Sequence, residues 1–157
     1  MSGKTHLHIQ FYRDAQTVYG TSHLAPSTAG SVGIDLRACL APDEVIHLNP
    51  GARYQIPVGI AIEPLDAHVA GFVYSRSGLG AVKGLVVAQG VGIIDPDYRG
   101  EISVIMLNTS QENRTIERGD RIAQIVFQPY FTPQFTPVEA LTPTQRGEGG
   151  FGHTGKG

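Results

Sequence analysis

Short apolar or alternating runs of four to nine residues, each closed off by glycine or proline, recur along this chain, and no window of helical length carries a 3.6-residue apolar stripe. That punctuation excludes a helical bundle. It predicts a mostly β chain with strands at 7–12, 33–39, 44–48, 53–56, 59–63, 68–75, 85–88, 101–108, 113–116 and 121–129, and at most one short helix, near 78–82. Pro50-Gly51, Pro57-Val58-Gly59, Pro64-Leu65-Asp66, the 96–100 segment PDYRG and Arg118-Gly119-Asp120 supply the turn chemistry between them. Strands so spaced suggest a sandwich, jelly roll or barrel. At 157 residues the chain needs only one core.

Two strands say more than the pattern does. In EISVIMLN (101–108) both the face of Ile102, Val104 and Met106 and the face of Ile105 and Leu107 are apolar, so a second cover is expected, and a partner subunit can supply it. In RIAQIVFQP (121–129) Ala123, Ile125 and Phe127 fall on one face and Ile122, Gln124, Val126 and Gln128 on the other, which leaves Gln124 on a mixed face open to a ligand. Residues 132–144 contain Pro133, Pro137 and Pro143 with little periodicity and read as an extended strap. The strap closes a single domain of residues 1–145. The remainder, 146–157, sets six glycines around one Phe and one Arg. Such a tail orders at high entropic cost and buries little, so it is a frayed end unless a ligand organises it. A nucleotide has the chemistry to do so: Phe151 offers a stacking face, Arg146 a fork for phosphate oxygens, and the glycines allow close approach of backbone N–H groups.

Composition narrows the partners. A net charge of −2 with only three lysines disfavours a duplex-binding surface, so no direct nucleic-acid partner is expected. Charged residues are 17% of the chain against roughly 25% in typical soluble domains, which fits an oligomer that hides part of its surface. A single cysteine, Cys39, forms no intrachain disulfide or cysteine metal cluster, and the polar start and lack of a long apolar run predict a soluble cytoplasmic protein without a membrane segment. The six histidines are scattered with no zinc spacing, and no nucleophile elbow is present.

Three segments carry polar chemistry. GVGIIDPDYRGE (90–101) places Asp95, Asp97 and Tyr98 in a turn; part-burial of Asp95 beside Ile93 and Ile94 would make it a general base toward water, while the plain alternative is an Asx-turn. SRSGLGAVKGL (75–85) combines Arg76, Ser77 and Gly78 in a glycine-rich loop that reads as an anion cradle or as a simple glycine turn, without Walker spacing. AGSVGIDLRACL (29–40) puts Asp35 and Arg37 on one side of a strand, either a solvated face or, for Asp35, support for a hydrated Mg²⁺.

Taken in order, GSVGIDLRA (30–38), RSGLGAVKG (76–84), GVGIIDPDYRGE (90–101), RGDRIAQIVF (118–127) and RGEGGFGHTG (146–155) resemble the five motifs of the homotrimeric deoxyuridine triphosphatase (dUTPase) family, over nearly the whole chain. The resemblance implies an all-β, jelly-roll-like (β-clip) subunit, a homotrimer with sites at subunit boundaries, and a glycine-rich lid that completes a neighbour's site. It implies Mg²⁺-dependent hydrolysis of dUTP to dUMP and pyrophosphate, limiting uracil in DNA and supplying dUMP for thymidylate synthesis. Asp95 would then orient and deprotonate the attacking water, directly or through a network that also holds the deoxyribose 3′-OH. Tyr98 would pack beneath the sugar and reject a 2′-hydroxyl. Ser77, Gly78 and Gln124 would contact phosphates, with Arg76 stabilising them, and Asp35 would reach the metal through water. Gln89 and the backbone of Gly90, Val91 and Ile93 would read uracil. From the tail, Phe151 would stack on the base and Arg146 grip the γ-phosphate, with Gly152, His153 and Thr154 adding contacts.

Gln89 and Ser75 depart from residues common in the family, which predicts altered base reading and a looser Arg-Ser loop. The rival enzyme class, dCTP deaminase, shares the fold but needs a glutamate where this chain has Ile105. A nucleotide-responsive binding protein, using the tail as a switch, is the non-enzymatic alternative.

Overall fold

The computed structural model describes residues 4–20 and 24–150. Its strands are β1 (Leu7–Phe11), β2 (Ile34–Arg37), β3 (Val45–Leu48), β4 (Arg53–Pro57), β5 (Ile60–Pro64), β6 (Val69–Tyr74), β7 (Leu85–Val87), β8 (Val91–Ile94), β9 (Ser103–Asn108), β10 (Arg114–Glu117) and β11 (Arg121–Pro129). All pairings are antiparallel and fall into four small sheets: β1 with β5, β3 with β10, β2-β11-β6-β8, and β4-β9-β7. Backbone bonds such as Val58 N–H to Ile102 O (3.0 Å) and Ile102 N–H to Ile60 O (2.9 Å) link them around one core of Leu36, Leu48, Ile56, Val58, Val104, Met106 and Ile122. The fold is all-β, as the punctuation implies, and of the jelly-roll type that the resemblance implies. Among the described residues no helix is long and apolar enough to cross a membrane.

Three expectations need correction. Two short helical turns are present, not one at most: α2 (Leu79–Lys83), close to the 78–82 expectation, and α1 (Ala15–Tyr19). α1 is one turn long and buries only Ala15 and Tyr19, an i,i+4 pair too brief to register as a stripe. Its Tyr19 hydroxyl accepts the Arg37 N–H at 3.0 Å, and burial pushes the phenol up to about 12, so it stays protonated and ties α1 to β2. The second correction is β8: residues 91–94 form a strand, not a turn between strands, because Gly92 and Ile94 face inward against β6 while Val91 and Ile93 face out. The third concerns β11, where a register shift between Arg121 and Ala123 turns both Ile122 and Ala123 into the core and breaks the simple alternation that put Ile122 beside Gln124.

In β9 the Ile102, Val104 and Met106 face is buried within the chain, while Ile105 on the other face is 37% exposed. At the end of β9, buried Asn108 satisfies its whole amide, donating to Leu48 O (2.9 Å) and Glu112 O (2.7 Å) and accepting from Ser110 N–H (3.0 Å) and Oγ (2.7 Å).

Candidate active site

β11 is the middle of the site because it pairs on both sides. Gln124 lies opposite Asp35 of β2 and opposite Tyr74 of β6, and the chain leaving Tyr74 delivers Arg76 and Ser77 to the same end of the sheet. The result is a polar cavity of about 400 Å³ lined by Asp35, Arg76, Ser77, Gly78 and Gln124. Ser27, Ser31, Val32, Gly33 and Val126 also line it; Ser31 and Val32 fall within the GSVGIDLRA motif without a role of their own there, and Ser27 lies in a loop that no motif covers.

Asp35 holds the cavity's cations in place. Its two carboxylate oxygens take Arg76 Nε at 2.8 Å and Arg121 Nη1 at 3.2 Å, and Arg76 also donates to Arg121 O at 3.2 Å. Sequence reasoning quoted Arg121 within its motif but gave it no role, since the bulge after it hides which way it faces. Gln124 donates to Ser75 O at 3.1 Å, and Ser75 Oγ accepts the Val87 N–H at 2.8 Å. Ser75 therefore ties the Arg-Ser loop to β7, contrary to the expectation that it loosens the loop. Gly33 is required by close approach: a Cβ there would lie 2.3 Å from Gln124 Oε1. Gly33→Ala should push the Gln124 amide aside and, if Gln124 contacts the substrate, raise KM about tenfold with little change in kcat, which steady-state kinetics would show.

A second, separate pocket of about 240 Å³ holds Asp95 and Tyr98 together with Gln55, Ile93, Glu101 and Ser103. Asp95 begins a turn closed by the Tyr98 N–H to Asp95 O bond at 3.1 Å, with Pro96 fixing its second position. The Tyr98 hydroxyl donates to Glu101 O at 3.1 Å, which folds the ring back over Gly100, where a Cβ would meet the hydroxyl at 2.4 Å. Asp95 is exposed, and Ile93 points outward at 63% exposure, so the part-burial expected for Asp95 is not supplied by the described residues. Val91 and Ile93 lie on β8, which among the described residues pairs only with β6, so it forms an edge of its sheet. Gln89 and Gly90 sit exposed at the start of that strand.

The two pockets share no lining residue. Ile94 pairs with Gly71, whereas Arg76 follows five positions later, roughly 16 Å along the strand direction at the usual rise per residue. Arg146 is exposed and, among the described residues, donates only to Gly149 O at 2.8 Å. Phe151, Gly152, His153 and Thr154 lie outside the described residues.

For Mg²⁺, the chain's donor set is a lone carboxylate, Asp35, already on two guanidinium groups, and no three His, Cys, Asp or Glu side chains converge among the described residues. Such a set does not build a protein-only cage. It fits an ion that arrives on a polyphosphate and reaches Asp35 through water.

The chain is thus an antiparallel β clip that presents a polar cavity and, apart from it, a carboxylate-tyrosine turn beside a strand edge. The dUTPase family model matches residues 21–155. The chain is 49% identical over 130 residues to the deoxyuridine 5′-triphosphate nucleotidohydrolase of Cronobacter sakazakii, covering 83% of this chain and 84% of that one. Among solved structures it resembles the dUTPase of Staphylococcus bacteriophage 80alpha in a mutant form with dUpNHpp (TM-score 0.79, 23% identity, 96% of this chain and 99% of that one). It also resembles the dUTPase of Streptococcus mutans (TM-score 0.66, 27% identity, 81% and 98%). The chain belongs to the dUTPase family.

Proposed function

We propose that this chain hydrolyses dUTP to dUMP and pyrophosphate, limiting uracil in DNA and providing dUMP for thymidylate synthesis. The observation that carries the reading is the convergence of Arg76, Ser77, Gly78 and Gln124 on one polar cavity in a chain of this family. Guanidinium, hydroxyl and amide groups suit phosphate oxygens, and Asp35 aligns Arg76 for them.

Uracil pairs with the open backbone edge of β8 at Gly90, Val91 and Ile93, with Gln89 beside it. A cytosine presents reversed polarity there and leaves donors and acceptors unpaired. Tyr98, braced by Glu101 O, packs under the deoxyribose and leaves no space for a 2′-hydroxyl. Asp95 accepts a proton from water as the water oxygen bonds to the α-phosphorus. The bond from that phosphorus to the bridging oxygen breaks, and pyrophosphate leaves with the bonding electrons. The family is generally metal-dependent; Asp35 is the carboxylate that would help hold a Mg²⁺ brought in with the substrate, and such an ion would supply charge neutralisation at the phosphates. Arg146 holds the γ-phosphate, and Phe151, Gly152, His153 and Thr154 close over base and phosphates.

Because the two pockets are separate in one chain, a complete site draws on more than one subunit, and a homotrimer meets that need. The strap supports it: Phe131 and Phe135 are 94% and 86% exposed on a segment that no described residue covers. Domain 1–145 is then the framework and 146–157 a lid that serves a neighbour. The reading places the enzyme in the cytoplasm with its nucleotide substrate.

Incubation with dUTP, dCTP, UTP and dTTP plus Mg²⁺ tests this. Pyrophosphate from dUTP alone is expected. Ammonia from dCTP would transfer the chain to the deaminase class, although Ile105 offers no carboxylate for that reaction, and nucleotide binding without product would leave the binding-protein alternative. Light scattering should return the mass of three chains.

A further inference from the structure

The Asp95–Tyr98 turn hangs from a side-chain clamp that lies outside the motifs discussed above on its receiving side. Arg99 Nη1 donates to Pro96 O at 2.7 Å, gripping the turn from within, while its Nη2 reaches Glu63 Oε1 on β5 at 2.9 Å. The other Glu63 oxygen, Oε2, lies 3.0 Å from Nδ1 of His8, which stands directly opposite Glu63 in the β1-β5 register. Glu63 is held below its ordinary carboxylate range, first by the His8 hydrogen bond and then by the Arg99 charge, and so it is ionised at neutral pH.

We propose that Arg99, clamped by Glu63 and backed by His8, is a positioning residue that sets the Asp95–Tyr98 turn and thereby the preference for a deoxyribose over a ribose. The proposal rests on the reading of Tyr98 as the surface under the sugar. One guanidinium bridges a carbonyl inside the turn and a carboxylate on the β5 strand, so losing either end removes the turn's tie to β5; the Tyr98 hydroxyl bond to Glu101 O remains, and a small shift of the ring about that bond opens space at the 2′ position. The other end of the segment is fixed independently, by Glu101 to the Gly59 N–H (3.0 Å) and to Arg13, so Arg99 controls the turn and not the whole segment. The clamp is solvent-exposed, which bounds its strength and makes it sensitive to salt.

The test compares the unmodified enzyme with Arg99→Gln, Glu63→Gln and the double variant, measuring kcat/KM for dUTP and UTP and amide hydrogen exchange across residues 95–101. Each single change should lower the dUTP-over-UTP ratio by about two- to fivefold, the double no further, and the Tyr98 amide should exchange faster in each. Raising ionic strength should bring the unmodified enzyme toward the variants. An unchanged ratio with unchanged exchange overturns the proposal, as do losses that multiply in the double variant. A lower Tm with ratio and exchange intact also overturns it, since that is a merely structural role. If the unmodified enzyme fails to turn over dUTP, the functional reading falls, and the exchange measurement alone decides the clamp.

Discussion

Asp95→Asn is expected to lower the turnover of dUTP by about 10²–10⁴-fold while nucleotide affinity stays within about twofold. The substitution keeps shape and removes only the capacity to accept a proton. The turn itself is unaffected, because its closing bond from the Tyr98 N–H goes to the backbone carbonyl of Asp95 and not to the side chain. Among the described residues no ion pair or hydrogen bond uses the Asp95 carboxylate. Pyrophosphate release and titration with a non-hydrolysable dUTP analogue separate the two effects. Near-normal release would remove Asp95 as the base, and a large loss of affinity would make it a binding residue instead.

The placement of Asp95 also shows what could be read in the chain and what could not. Strand positions were legible wherever glycine or proline bounded an apolar run, since those residues act locally; β11 matches residues 121–129. β8 was not legible, because Val91-Gly92-Ile93-Ile94 carries a glycine mid-strand and joins directly to a proline turn, so local chemistry pointed to a turn while pairing with β6 made it a strand. α1 was missed because one helical turn has no period to detect. The polar cavity was partly legible: Arg76, Ser77, Asp35 and Gln124 each carried a chemical signature, whereas Arg121 and Ser27 join them only through the bulge and the loop that tertiary structure sets. The expected burial of Asp95 failed for a different reason. Ile93 and Ile94 neighbour Asp95 in sequence, but Ile93 points outward, and no other described residue gives Asp95 an apolar cover.

Deleting residues 147–157 should cut kcat/KM for dUTP by about 10²–10³-fold, through loss of a stacking surface and of phosphate donors, while the Tm moves by no more than about 1 °C. The stability half of this follows from burial: the strap from residue 131 onward is exposed, and the core is closed before it begins. A large fall in Tm would mean the tail packs on the framework. The catalytic half can be assigned to the right subunit by complementation. Asp95→Asn chains keep an intact tail, and truncated chains keep an intact Asp95, so a site using both from one chain is dead in every mixture. If the tail serves a neighbour, random co-assembly of equal amounts gives about a quarter of all sites both functional parts, and activity returns to that level from two inactive proteins. No recovery after verified co-assembly would show that each tail closes over its own chain, and the separation of the two pockets would then need a rearrangement within one subunit.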